Sequence, residues 1–138
     1  MSKVAVIYWS GTGNTQAMAE AVADGAKSAG ADVDLLTCAD VQGVNDYDSV
    51  ALGCPAMGAE ELEDGEFLPM LDTIEANLAG KKVALFGSYG WGDGEWMRLW
   101  ETRCAEKGIT LAAESVLANE APDDDAVTSC KALGAALA

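Results

Sequence analysis

The chain has 138 residues, half of them hydrophobic, which sets the scale of one domain with a proper core and excludes wholesale disorder. Its 23 acidic and 8 basic residues give a net charge of −15, so nucleic acid and anionic membrane surfaces are excluded as partners while basic protein faces are attracted. There is no histidine, and the four cysteines (Cys38, Cys54, Cys104, Cys130) are widely separated, which removes a mixed zinc site, a disulfide framework and the commonest general base of hydrolases.

Residues 3–9 hold the apolar run Val4-Ala5-Val6-Ile7-Tyr8-Trp9, a predicted buried strand. It leads directly into Ser10-Gly11-Thr12-Gly13-Asn14-Thr15, after which Gln16 to Ala23 continue at helical period. A helix is therefore predicted over 14–29, closed by Gly30. Strand, glycine-rich turn and helix start form a phosphate site, because free backbone N–H groups and the positive end of the helix dipole face the anion. The loop has no Lys or Arg; three hydroxyls (Ser10, Thr12, Thr15) and the Asn14 amide suit a terminal monophosphate. A Walker A loop would need a Lys-Ser/Thr pair where Asn14-Thr15 stand, and a dinucleotide fingerprint would need a glycine in place of Gln16.

Asp32 to Thr37 alternates and carries two aspartates, the pattern of a strand at the sheet edge. Ser49 to Cys54 is a third strand ended by Pro55, and a helix is expected near 66–78. Lys82 to Gly87 makes strand four, Glu95 to Lys107 a helix, Thr110 to Leu117 strand five, and Asp123 to Leu137 a last helix whose three leading aspartates suit the dipole. This α/β alternation over 1–138 predicts one doubly wound domain, a five-stranded parallel sheet of order 2-1-3-4-5 with helices on both faces. Its ligand crevice lies beyond the carboxyl ends of strands one and three.

Three loops meet at that crevice. The phosphate loop follows strand one, Pro55-Ala56-Met57-Gly58 follows strand three, and Ser88-Tyr89-Gly90-Trp91-Gly92 follows strand four. A space between Met57 and Trp91 suits a flat ring, sulfur on one face and indole on the other. A phosphate site beside a flat-ring site, with no second phosphate loop, points to a mononucleotide.

Taken together, Ser10-Gly11-Thr12-Gly13-Asn14-Thr15, Gly53-Cys54-Pro55-Ala56-Met57-Gly58 and Gly87-Ser88-Tyr89-Gly90-Trp91-Gly92-Asp93-Gly94 resemble the flavodoxins, in particular the short-chain group with a Met and Trp pair around its flavin. The resemblance implies a flavodoxin-like fold, non-covalently bound FMN, and a low-potential one-electron carrier that cycles between semiquinone and hydroquinone without a substrate of its own. It implies that Ser10, Thr12, Asn14 and Thr15, with the backbone of Gly11 and Gly13, hold the phosphate. Trp91 would stack on the outer ring face and Met57, carried by Pro55 and Ala56, would pack on the inner face. Ser88, Tyr89, Gly90 and Gly92 would meet the ring edge, and the Gly58 peptide would turn over to offer its carbonyl to flavin N5. Glu60 steadies that loop, hydrogen-bonds the ring edge, or is one more solvated charge.

The partners expected are redox donors and acceptors with basic docking patches, meeting carboxylates at Glu60, Glu61, Glu63, Asp64 and Glu66 beside the Met57 loop and at Asp93 and Glu95 beside the Trp91 loop. A cytoplasmic monomer is expected, because no apolar run reaches membrane-spanning length and no signal-peptide pattern opens the chain. The alternative is an FMN-dependent NAD(P)H quinone or nitro reductase on the same fold, which would need a nicotinamide pocket over one flavin face.

Overall fold

The computed structural model describes residues 2–11, 13–57, 61–90 and 93–138. Its strands are β1 (Lys3–Tyr8), β2 (Asp32–Thr37), β3 (Ser49–Gly53), β4 (Lys82–Tyr89) and β5 (Val116–Asn119). They alternate with α1 (Asn14–Ser28), α2 (Phe67–Ile74), α3 (Glu95–Glu106) and α4 (Asp124–Leu137). All pairs are parallel and the order is β2-β1-β3-β4-β5, as predicted. β3 is buried throughout, whereas β2, with its two aspartates, lies at an edge and is half exposed.

The strands divide their side chains between two cores at period two. Ala5, Ile7, Leu52 and Leu85 pack with Phe67 of α2 and with Trp96 and Trp100 of α3. Val4, Val6, Ala84 and Phe86 pack with Met18 and Val22 of α1 and Leu133 of α4. On the first side Phe67 and Trp100 meet edge to face at 5.4 Å, and the Trp96 indole N–H donates to the Cys54 carbonyl at 3.0 Å, which fixes the end of β3. Arg103 of α3 also reaches back, its Nε 2.7 Å from Glu75 and its Nη2 2.8 Å from Asp72. On the second side α1 and α4 touch backbone to backbone at Gly25 and Gly134: a Cβ on Gly134 would lie 2.0 Å from the Val22 carbonyl oxygen.

Two expectations need correction. The helix expected over 66–78 is α-helical only over Phe67–Ile74 and tightens into a 3₁₀ turn at Glu75–Asn77. The fifth strand is not continuous over 110–117. Leu111 makes one isolated bridge to Val83, and regular pairing starts again at Val116 opposite Phe86. The chain takes five residues from Leu111 to Val116 where β4 takes three from Val83 to Phe86, so a bulge leaves the sheet. Its ends are tied by the Ala112 N–H to the Val83 carbonyl (2.8 Å) and by the Ser115 hydroxyl to Glu101 of α3 (2.7 Å). Apolar alternation could not show this, because the capture of Ser115 by a helix is a tertiary event. Among the described residues, no helix is long and apolar enough to cross a membrane.

Candidate functional site

At the carboxyl end of β1 the backbone turns sharply. Gly13 adopts φ 93°, which glycine reaches at little cost, and it caps α1 without any side-chain cap. The Ser10 hydroxyl accepts the Gly13 N–H at 3.0 Å and holds the turn. The first turn of α1 contains no acidic residue, so its N–H groups and the positive end of the dipole remain available to an anion. Just behind them sits Thr15, 1% exposed, whose Oγ1 has no hydrogen-bond partner among the described residues. A buried hydroxyl left unpaired costs about 1–3 kcal/mol, and a ligand at the start of α1 would supply the acceptor. The donor set is neutral and suits a phosphate monoester. Thr12 lies outside the described residues.

Beside this anion site is a cleft of about 530 Å³ at the predicted crevice. Gly11 and Asn14 come from the loop after β1, and Pro55, Ala56 and Met57 from the loop after β3. Ser88, Tyr89 and Gly90 come from the end of β4 and the loop after it. The Ala56 N–H donates to the Ser88 carbonyl at 3.0 Å and so links two of these walls. Met57 is 36% exposed, with its side chain on the cleft wall. Met57 and Glu61 exchange two backbone hydrogen bonds (2.8 and 3.0 Å), which bring together the ends of the loop carrying Gly58, Ala59 and Glu60. Those three residues, with Trp91 and Gly92, lie outside the described residues, so the second face of the expected sandwich and the turning Gly58 peptide do too.

Three lining residues were not foreseen: Trp9, Glu120 and Ala121. Trp9 reads in sequence as the end of an apolar strand. In the fold its backbone N–H bonds the Gly53 carbonyl at 3.0 Å and its indole N–H reaches Glu66 at 3.3 Å. A Cβ on Gly11 would come within 3.1 Å of that indole, so the ring supports the phosphate loop from below. Glu120 is the one non-glycine residue with positive φ among those described (58°), held by its N–H to the Tyr89 carbonyl at 2.7 Å. The available signal was topological: the loop after β5 also opens toward the switch point.

The acidic stretch after Met57 is ordered by one of its own members. The Glu63 carboxylate accepts the N–H groups of Gly65 (2.8 Å), Glu66 (2.7 Å) and Phe67 (2.7 Å), capping the entry to α2. Burial pushes its carboxyl up, but these three donors together outweigh burial and hold it below the ordinary carboxylate range. The stabilisation it contributes is therefore present above the unfolded value, about 4.3, and is lost as pH falls through the lower folded value. In apoprotein unfolding, Glu63→Gln should cost about 1–2 kcal/mol at pH 6, as for loss of a charged cap, and the gap to the parent should close toward pH 3. A gap independent of pH would show that the ionised carboxylate is not what holds the segment.

The cysteines are free. Burial pushes the Cys54 and Cys38 thiols up to about 12, with Glu66 and Glu63 adding to the effect at the half-buried Cys38. They are protonated packing groups rather than nucleophiles. Among the described residues no group of acidic or cysteine side chains is placed to hold a metal.

The family profile described as Flavodoxin matches residues 6–134 of the chain. The flavodoxin of Megasphaera elsdenii is 48% identical over 98% of both chains, and that of Clostridium beijerinckii is 46% identical over 86% of this chain and 88% of its own. The solution structure of the two-electron reduced Megasphaera elsdenii flavodoxin superposes with a TM-score of 0.88 at 47% identity, covering 97% of each chain.

Proposed function

Because the chain belongs to the flavodoxin family, it is a small FMN-binding electron-transfer protein, and we propose how its own residues serve that role. The observation that carries the assignment is the Thr15 hydroxyl, without a partner among the described residues, behind the start of α1 and next to a largely apolar cleft. Bound FMN supplies the one-electron redox chemistry. Ser10, Thr12, Asn14 and Thr15, with the backbone of Gly11 and Gly13, hold its phosphate. Met57, on the arm formed by Pro55 and Ala56, packs on the inner ring face and Trp91 on the outer face. Ser88, Tyr89, Gly90 and Gly92 line the ring edge, and Gly58 supplies a peptide free to turn toward it.

The protein's further contribution is electrostatic. A net charge of −15, with Glu120 on the cleft wall, Glu61, Glu63 and Asp64 beside Met57 and Glu66 on the Trp9 indole, opposes added negative charge in the cleft. Each ~1.4 kcal/mol of that opposition lowers a one-electron potential by about 59 mV. The same carboxylates suit brief docking with donors and acceptors that present basic patches. A single cytoplasmic domain over 1–138, acting as a monomer, fits this reading, because two like-charged copies repel each other.

The rival reductase is not favoured, since the flavodoxins of Megasphaera elsdenii and Clostridium beijerinckii match this chain at 48% and 46% identity over most of both chains. The FMN-loaded protein should not oxidise NADPH unaided, and its transfer rate to a protein acceptor should fall as salt rises from about 10 mM to several hundred mM. Steady NADPH oxidation without a reductase would overturn the carrier reading, and a salt-independent rate would overturn the charge-guided docking.

A further inference from the structure

A hollow of about 660 Å³, larger than the cofactor cleft, lies between β5 and α4. The bulge creates it: Ala113, Glu114 and Ser115 leave the sheet and form one end of its wall. β5 is the last strand of the sheet, so its outer edge has no strand partner among the described residues. The exposed Ala132 lines the hollow from α4, whereas the Leu117 side chain (38% exposed) lies on the other face of the sheet, against Gly94 at the start of α3. Its charged rim is made of Glu114, Asp123 and Asp125, with no Lys or Arg among the described lining residues. Asp123 is occupied in capping α4, accepting the Ala126 N–H at 2.8 Å, whereas Glu114 and Asp125 have no hydrogen-bond or ion-pair partner among the described residues. The hollow meets the cofactor cleft at Ala121, which lines both.

An open strand edge presents unpaired N–H and C=O groups that template a further strand. A second copy of this chain is a poor occupant, since two surfaces of net charge −15 repel each other. We propose that this groove receives an extended segment of a redox partner that bears Lys or Arg, adding as a strand to β5. Side chains of an added strand alternate between the two faces of the sheet, so its cationic set would face α4, with stems over Ala132 and charges on Asp125 and on Glu114 at the end of the hollow, while its apolar set would lie over Leu117. The partner's body is thereby held beside the cofactor cleft. The inference rests on the carrier reading above and adds to it a second contact, distinct from the acidic loop at Met57.

The test uses an acetylated and amidated heptapeptide of alternating Lys and Val, titrated at low salt into ¹⁵N-labelled FMN-loaded protein. Amide shifts should concentrate in 114–119 and along the Asp125 to Ala132 face of α4. Ala132→Trp fills the groove without changing charge and should weaken peptide binding roughly tenfold, as expected for blocking the centre of a small interface. Paired Glu114→Lys and Asp125→Lys should weaken it similarly, and serves if the tryptophan variant does not fold. Shifts spread evenly over the acidic surface, or binding unaltered in the folded groove variants, overturn the proposal. Glu61→Lys with Asp64→Lys separates the two readings. If that variant slows transfer to a protein acceptor while the groove variants change neither peptide binding nor transfer, the groove inference fails and the carrier reading stands. If transfer depends on neither surface, docking guided by charge fails as well.

Discussion

Thr15→Val should make the apoprotein slightly more stable and bind FMN far less tightly. The Thr15 Oγ1 is buried without a partner among the described residues, which costs about 1–3 kcal/mol; valine has nearly the same shape and removes the orphaned group. The unfolding midpoint of the apoprotein should therefore rise, by about 1 kcal/mol after imperfect packing is allowed for. With FMN the sign reverses. The hydroxyl is placed to donate to a phosphate oxygen, and hydrogen bonds to charged groups contribute about 1.5–3 kcal/mol, so the dissociation constant should rise roughly 10- to 150-fold. Riboflavin, which lacks the phosphate, should bind both proteins equally. Calorimetry with the two ligands checks this directly. An equal loss for both would put the phosphate elsewhere, and a destabilised apoprotein would mean that the hydroxyl already has a partner.

Gly134→Ala should produce a large loss of stability from a single methyl group. The added Cβ would lie 2.0 Å from the Val22 oxygen, 2.8 Å from the Ala26 nitrogen and 2.9 Å from the Val22 carbonyl carbon. All three are backbone atoms of α1, so no side chain can swing aside; the helices must separate. Overpacking of this kind costs about 1–3 kcal/mol and occasionally more, and backbone against backbone belongs at the upper end. The helix-propensity gain of alanine over glycine, about 1 kcal/mol, offsets only part of it. A net loss of about 2–3 kcal/mol corresponds to a fall of roughly 5–12 °C in the apoprotein midpoint. Ser129→Ala, on the exposed side of the same helix, should change it by less than about 0.5 kcal/mol. Saturating FMN should recover part of the loss, because the ligand binds only the folded state through the start of α1. A midpoint as high as the parent's would mean that the two helices have room to part.

Both variants depend on features that local sequence does not record. Thr15 is legible as a phosphate-loop hydroxyl from its spacing after Gly11 and Gly13, but that it is buried and unsatisfied follows from the packing of α1 on the sheet. Gly134 reads as one small residue among alanines in a helix. Only the approach of α1 makes it obligatory.

The chain by itself determined the alternation of strands and helices, the order 2-1-3-4-5, the edge position of the aspartate-bearing second strand and the three loops that meet at the crevice. These follow from apolar runs, helical period and glycine punctuation, which act over a few residues and whose chain order restricts parallel sheets to few topologies. Tertiary structure alone decided the rest. The bulge before β5 arises where Glu101 of α3 takes the Ser115 hydroxyl, and Glu120 takes its positive φ where its N–H meets the Tyr89 carbonyl. Trp9 becomes the support of the phosphate loop because Glu66, 57 residues later in the chain, accepts its indole N–H. Each of these is a contact between groups distant in sequence, stabilised only once the sheet has brought them together, and no local propensity encodes it.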